Sequence, residues 1–556
     1  MINWRQLSPN LSTSAQIRPE NLASIAAAGF RSIIGNRPDN EAPDQPAWSD
    51  IADAAQANGL HARHIPVTAG PISDEDVALF HGALAELPAP MLAFCASGRR
   101  STLMWALANP DGLATDEALA IAAAAGHDLE LFRDRVASAR KWDGQFEAAI
   151  RHDVVILGGG AGGIATAASL LRRRPSLDIA IVEPRETHAY QPGWTLVGAG
   201  VFTPEQTVRP MAAVMPKGVS WIRDEAVAVK PEANEVELRD GRSVIYKLLI
   251  VATGNRLAWD EIEGLVDTLG KNGVTSNYSF DLAPYTWELV QGLKEGRALF
   301  TQPPMPIKCA GAPQKAMYLS CHEWERRALL GNIDVDFHSA GAVLFGVPAY
   351  VPALEETVAR YGIHVHLGSN LASVDGPARK ATFRTAQGEV TRDFDMLHVS
   401  PPQKACPVIA DSSLADAAGY VDIDQATMQH KRFPNVFALG DAGNTSNAKT
   451  AAAVRKQAPV VAVNALAVLR GEQPEAVYDG YGSCPLTVEK GRIVMAEFGY
   501  GGQLKPTFPT WLIDGTRPSR LAWLLKKDLL PPIYWHAMLK GREWLVEPEI
   551  RSSAVD

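Results

Sequence analysis

Two cysteines of this chain stand in surroundings suited to thiolate chemistry. Cys309 lies in the run PIKCAGAPQKAMYLS, residues 306–320, directly after Lys308 and shortly before Gly311 and Pro313. The lysine favours the thiolate electrostatically, and the turn residues describe a loop that leaves the sulfur reachable. The alternative is a buried thiol acting as a small apolar side chain. Cys95 lies in LAFCASGRRSTLMWALA, residues 92–108, between an apolar strand pattern and a helix pattern. Ser97, Gly98, Arg99, Arg100 and Ser101 follow it, so the loop amides and the helix N-terminus can cradle an anion or hold a thiolate. Arg100 and Arg99 add the fork geometry that suits an oxyanion.

The length of that loop separates two chemistries. A phosphate-sized loop has arginine six positions after the cysteine, where this chain has Ser101. The shorter C-x-S-G-x-R-S pattern, sized for a persulfide, fits Cys95, Ser97, Gly98, Arg100 and Ser101. Sulfur transfer is therefore expected ahead of phosphate hydrolysis, with Asp74 and Asp76 as candidate general acids in the phosphatase alternative.

The elements around Cys309 point to a bound dinucleotide. HDVVILGGGAGGIATAASLL, residues 152–171, reads as strand, glycine turn and alanine-rich helix, with Gly158, Gly160 and Gly163 in G-x-G-x-x-G register. The first glycine permits the turn, the second lets backbone approach a pyrophosphate, and the third lets helix pack on strand. A second strand, DIAIVEP, reaches Glu183 twenty residues beyond Gly163, where an acid accepts from a ribose hydroxyl. LLIVATG, ending at Thr253 and Gly254, and FPNVFALGDAG, carrying Gly440 and Asp441, favour FAD as the resident cofactor, with Asp441 facing a ribityl hydroxyl. No second clean glycine motif occurs mid-chain. Residues 297–347 hold Cys309 instead, which argues against a stably bound NAD(P)H donor.

Residues 150–550 resemble the sulfide:quinone oxidoreductase family, mitochondrial-type branch. The resemblance rests on HAYQPGWTLVGAG (188–200), SNYSFDLAPYTW (276–287), the Cys309 run, MLHVSPP (396–402), NAKTAAAVRKQ (447–457) and YDGYGSCPL (478–486). It implies that Gln191 and Ala226 line the FAD site, that Lys449 lies near the isoalloxazine, that Cys309 is the flavin-proximal sulfur, and that a ubiquinone-type quinone accepts the electrons. The chain departs from the family directly after Asp441, where the second redox cysteine is replaced by Ala442. Cys406, after a Pro-Pro strand exit, is the candidate replacement; Cys321 is expected in the core and Cys484 to be structural. Residues 11–41 and 61–70 resemble the phosphatase-like domain of β-lactamase-hydrolase-like proteins.

The expected organisation is α/β throughout. A phosphatase- or rhodanese-like domain (1–112) precedes a helical linker (113–150), an FAD module of two Rossmann-like domains (151–475) and a C-terminal region (476–556). Length and 46% hydrophobic content suffice for several cores, and a net charge of −9 argues against nucleic-acid binding. Five cysteines without paired spacing fit a reducing compartment. MINWRQLSPN lacks the pattern of a signal peptide, and no run of eighteen apolar residues is present. Residues 517–544 mix Leu, Trp, Ile and Tyr with Arg and Lys, as a segment lying in a membrane interface does; a homodimer contact is the alternative. A sulfide- or persulfide-using enzyme on the inner face of the cytoplasmic membrane, with no metal, is expected.

Overall fold

The computed structural model describes residues 3–68, 72–139 and 150–551. It divides into two compact units, Met1–Ile150 and Arg151–Asp556.

In the first unit, short apolar runs become strands, the central ones buried on both faces and the edge ones partly exposed. β1 (Trp4–Ser8), β2 (Leu11–Ser14), β3 (Ser32–Gly35), β4 (His61–His64) and β5 (Met91–Phe94) form one sheet in the order β1-β2-β5-β3-β4, parallel except for β1 against β2. Helices α1 (Leu22–Ala27), α2 (Trp48–Ala57), α3 (Asp74–Glu86) and α4 (Arg99–Ala108) connect and cover it. α5 (Thr115–Ala124) and α6 (Arg133–Ala139), expected in a linker, contribute Ala118, Leu119, Ala122 and Val136 to the same core as Phe80 and Trp105. Alanine-rich sequence serves here as close packing, and α5 starts at Thr115 after Ala114 at its N-cap. Residues 140–149 of the expected linker lie outside the described residues.

The second unit holds two largely parallel sheets. In the first, β6 (Ile150–Leu157) is flanked by β7 (Ile179–Val182) and by the strand Ser243–Val251, which in turn pairs with Val436–Ala438. The helix α7 (Ala161–Arg173) leaves β6 through the glycine turn. The second sheet, in the order Val274–Thr275, Met396–His398, Gly296–Gln302, Ile333–Ser339 and His364–Leu367, is parallel throughout. The Cys309 loop joins its central strand Gly296–Gln302 to the helix Ala312–Arg326, which is the strand-to-helix connection a nucleotide loop occupies in such a sheet. An antiparallel hairpin, Gly482–Glu489 with Arg492–Phe498, packs Cys484, Leu486 and Val494 into the core of this second sheet.

The helix Ala451–Leu469 is long and apolar enough to cross a membrane, yet 67% of it is buried inside the protein. It packs against α7, so its apolarity is spent on the core.

Candidate active site

The glycine turn is built as its spacing predicts. Gly158 has φ 101°, and a Cβ there would sit 2.5 Å from the Ala252 carbonyl oxygen. A Cβ on Gly163 would lie 1.9 Å from the Gly158 carbonyl oxygen, so the helix can pack this closely only with glycine. At Gly160 a Cβ would meet nothing within 4 Å, leaving open space before the unbonded amides of α7. Glu183, buried at the end of β7, accepts from the Gly159 amide at 2.8 Å and from the Arg185 amide at 2.9 Å. The ends of β6, Ser243–Val251 and Val436–Ala438 thus gather Gly158, Gly160, Thr253, Gly254, Gly440 and Asp441. Gly254 has φ 73° with open space beside it. The hydroxyls of Thr253 and Thr445 are buried without a partner among the described residues. Orphaned hydroxyls, open glycines and a helix N-terminus are what a flavin dinucleotide requires, so the residues present fit FAD. Ala226 is half-buried and opens the edge strand Ala226–Lys230 of this sheet.

Asp441 and Lys449 share this region. The Lys449 ammonium donates to the Asp441 and Gly443 carbonyls at 2.9 and 2.7 Å. Burial pushes the Asp441 carboxyl up and the Lys449 amine down, each opposed by the charge of the other. The backbone of Lys449 also receives the Cys309 amide at 2.8 Å, which ties the sulfur loop to the flavin-side segment.

Cys309 itself is half-buried, in a left-handed backbone conformation with φ 50°. Lys308, its expected electrostatic partner, turns away and donates to Gln191 Oε1 at 2.9 Å. The cation on the sulfur is Lys315, whose Nζ stands 3.0 Å from Sγ. Lys315 lies in the first turns of the helix Ala312–Arg326, and helical side chains lean toward the N-terminus, which carries its ammonium back over the loop. The second contact is unexpected: Cys484 Sγ lies 3.7 Å from Cys309 Sγ. The Cys484 thiol, donating to it, together with the Lys315 charge, holds the Cys309 thiol well below its usual range, against the opposing effect of burial. The same bond, with burial, pushes Cys484 well above the usual range. With Lys315 on its sulfur, Cys309 is the more acidic thiol of the two.

A second cation completes this cluster. Lys526, inside the segment expected at a membrane interface, is buried and donates to Thr487 Oγ1 at 2.9 Å and to the Pro485 carbonyl at 3.4 Å. Burial and the repulsion of Lys315 push it down to about 7.

Cys406, expected as the second sulfur, donates instead to the carbonyls of Thr253 and Gly254, both at 3.7 Å, and burial raises its thiol. Cys321 is fully buried in the core, as its helical position predicts. Cys484, expected to be structural, is packed in the core of the second sheet, and the hairpin sets its sulfur beside Cys309. No local signal marks it, since its partner lies 175 residues away.

In the first unit, Cys95 ends β5 and is fully buried. Gly98, at φ 90°, turns its amide onto Cys95 Sγ at 3.1 Å and caps α4. The Arg100 fork lies beside the sulfur but is held by Glu41, at 2.8 and 2.6 Å, and by the Val67 carbonyl. Ser101 donates to Asn36 inside the core, while Arg99 reaches the Asp128 carbonyl. The Ser97 hydroxyl accepts from the Arg99 amide at 3.4 Å. Asp76 is occupied as part of the α3 capping box with Ser73, and the Asp74 side chain lies outside the described residues.

Asp336, His338 and His366 are the group able to gather three metal-ligand atoms among the described residues. Asp336 is bonded to His366 at 2.7 Å, and His338 is stacked on Phe383.

Residues 152–284 match the pyridine nucleotide-disulphide oxidoreductase family, and residues 3–112 match the phosphatase-like domain of β-lactamase hydrolase-like protein. The mitochondrial sulfide:quinone oxidoreductase of Dictyostelium discoideum is 42% identical over 392 residues, covering 70% of this chain and 86% of that protein. The chain belongs to the sulfide:quinone oxidoreductase family. Its relative from Mus musculus is 40% identical over 393 residues, covering 70% of this chain and 87% of that one. The solved sulfide:quinone oxidoreductase of Aquifex aeolicus shares the fold, with a TM-score of 0.60 at 20% identity over 71% of this chain and 92% of that chain. The Dictyostelium and mouse oxidoreductases are mitochondrial proteins, which overturns the expected placement on the inner face of the cytoplasmic membrane.

Proposed function

We propose that this chain is an FAD-dependent sulfide:quinone oxidoreductase in which Cys309 takes up the sulfide sulfur. The observation that carries the reading is the Lys315–Cys309 contact, placed on a loop whose backbone is bonded to Lys449 beside Asp441. Gly158, Gly160, Gly163, Glu183, Thr253, Gly254, Gly440 and Asp441 hold FAD, with Gln191, Ala226 and Lys449 lining it. When bound, FAD accepts an electron pair from sulfur and delivers it to quinone. The protein supplies a thiol made more acidic than an ordinary cysteine and a positive environment, from Lys315 and Lys526, that concentrates HS⁻.

The C-terminal segment gives a quinone reductase its route to the bilayer. Tyr534 and Trp535 are buried, and Tyr534 reaches His188, which in turn bonds the Gly159 carbonyl of the glycine turn. Leu521, Leu524 and Leu529 point outward, 47, 50 and 55% exposed, with Trp511 84% exposed. One face docks on the flavin sheet and the other presents the apolar side chains of a peripheral membrane contact.

The Cys95 loop handles sulfane sulfur. The three residues between Cys95 and the start of α4 make a compact loop with one amide aimed at the sulfur, which suits a persulfide better than a tetrahedral phosphate. The phosphatase reading keeps the support of the family match over 3–112. Sulfide-driven bleaching of the flavin, followed by recovery on adding a short-chain quinone, tests the oxidoreductase. A protein that holds FAD but is not bleached by sulfide ends the proposal.

A further inference from the structure

We infer that Cys484 is the second redox sulfur of this enzyme, pairing with Cys309 in place of the cysteine that Ala442 replaces. The inference deepens the oxidoreductase reading and rests on it. Three observations support it independently of the family pattern. First, the only sulfur that the described residues set beside Cys309 is that of Cys484, at 3.7 Å. A disulfide needs about 2.05 Å, so the sulfurs must close by roughly 1.6 Å. Cys309 is half-buried on a loop, so a turn of its side chain is the movement that would close the gap.

Second, the packing is shaped around this approach. A Cβ on Gly311 would lie 2.5 Å from Cys484 Sγ and 2.4 Å from Leu486 Cδ2. The loop can therefore reach the hairpin only because position 311 has no side chain. Third, the surroundings are charged in a way that a purely structural thiol does not need. Two buried lysines stand around the pair from separate elements: Lys315 Nζ is 3.0 Å from Cys309 Sγ, and Lys526, bonded to Thr487 and to Pro485 next to Cys484, adds its charge. Tyr278, from a third element, donates through its hydroxyl to the carbonyls of Lys308 and Cys309 and fixes the loop. Buried ammonium groups are costly without a compensating anion, and the Cys309 thiolate or persulfide of the reduced states provides one beside Lys315.

The cycle balances as follows. HS⁻ attacks Sγ of Cys309, the less buried sulfur of the Cys309–Cys484 disulfide, forming a Cys309 persulfide and breaking the disulfide. The leaving sulfur of Cys484 takes one proton and becomes a thiol. Lys526, at the neighbouring Pro485 carbonyl and with an ammonium that yields its proton near neutral pH, can supply it. A thiolate acceptor then attacks the terminal sulfur of the persulfide and departs as a new persulfide, leaving the Cys309 thiolate and the Cys484 thiol. Loss of one proton from Cys484 and of two electrons to the quinone of the oxidoreductase reaction re-forms the disulfide. The directions of the two thiol shifts match the reduced state of this cycle, with Cys309 ionised and Cys484 protonated.

Peptide mapping of the full-length holoprotein tests the pairing. The protein is oxidised with a short-chain quinone, its free thiols are alkylated, and it is digested without reduction. The expected result is a peptide pair linking Cys309 to Cys484, with the other three of the five cysteines alkylated, and with all five alkylated after sulfide and a thiol acceptor are added anaerobically. Cys484→Ser should keep its FAD and lose sulfide-dependent quinone reduction by about 100-fold or more. A link from Cys309 to Cys406, or no link at all, overturns the inference, and so does wild-type turnover in a folded Cys484→Ser protein. If that variant fails to fold, the mapping of the unmodified protein decides alone. Sulfide turnover without a Cys309–Cys484 link leaves the oxidoreductase reading standing and removes only the pair.

Discussion

Lys315 Nζ stands 3.0 Å from Cys309 Sγ, and it does so from a helix that begins three residues after the cysteine. That contact couples thiolate availability to one side chain. Because Cys309 is depressed, its thiolate persists to lower pH than that of an ordinary cysteine and is lost as pH falls through its lowered value. Lys315→Met removes the cation and raises the thiol, so the acid limb of sulfide-driven flavin reduction should move to higher pH by about 1–2 units. A pH profile superimposable on the wild type would show that Lys315 does not hold the thiolate.

Cys309→Ser should abolish quinone reduction by sulfide while leaving the protein yellow, because the glycine turn belongs to the first sheet and Cys309 to a loop of the second. The ratio of flavin absorbance to protein, read alongside turnover, checks both halves. Retained turnover would place the sulfur chemistry elsewhere.

Ala442 is buried at the family's usual position for a second cysteine. With Cys484 already supplying that sulfur, Ala442→Cys should change the rate of sulfide-dependent flavin reduction by no more than about twofold. A gain of tenfold or more would show that the missing cysteine limits the wild-type enzyme.

Gly160 and Gly163 should separate cofactor affinity from folding. Gly160→Ala places its methyl in open space, so the fold should persist while FAD affinity falls. Gly163→Ala drives a methyl into the Gly158 carbonyl and should destabilise the domain by several kcal/mol. Thermal melts of the apoprotein together with FAD titration distinguish the two; equal melting temperatures would contradict this account of the turn.

Cys95→Ser should eliminate transfer of sulfur from thiosulfate to cyanide and leave sulfide-dependent flavin bleaching intact, since the two sulfurs belong to different units. Hydrolysis of an aryl phosphate that depends on Cys95, without sulfur transfer, would make the first unit a phosphatase.

The parts of the site that were legible in the sequence are those set by local geometry. The glycine turn requires its residues at fixed spacing between one strand and one helix, and Gly158, Gly160, Gly163 and Glu183 fall where that spacing places them. Lys308 shows the limit of adjacency. Neighbouring residues on a loop need not face the same way, and Lys308 serves Gln191 while Lys315 serves the sulfur. Helical lean could have found Lys315, because its position in the first turns points it back at Cys309. Cys484 and Lys526 were not readable, because both reach the sulfur through tertiary packing of distant elements. The amphipathic composition of residues 517–544 hid the inward-facing lysine among outward-facing ones, a division that only the fold decides.

The hairpin that carries Cys484 also gives the redox cycle a mechanical side. A bond between sulfurs 175 residues apart would close a very long loop in the unfolded chain. Such a closure removes conformational entropy worth about 5 kcal/mol on the chain-entropy model. Each turnover therefore alternates between a cross-linked chain and an open one, and heat tolerance should oscillate with it. The quinone-oxidised protein should melt above the sulfide-reduced one, so that loss of acceptor supply leaves the enzyme in its more fragile state.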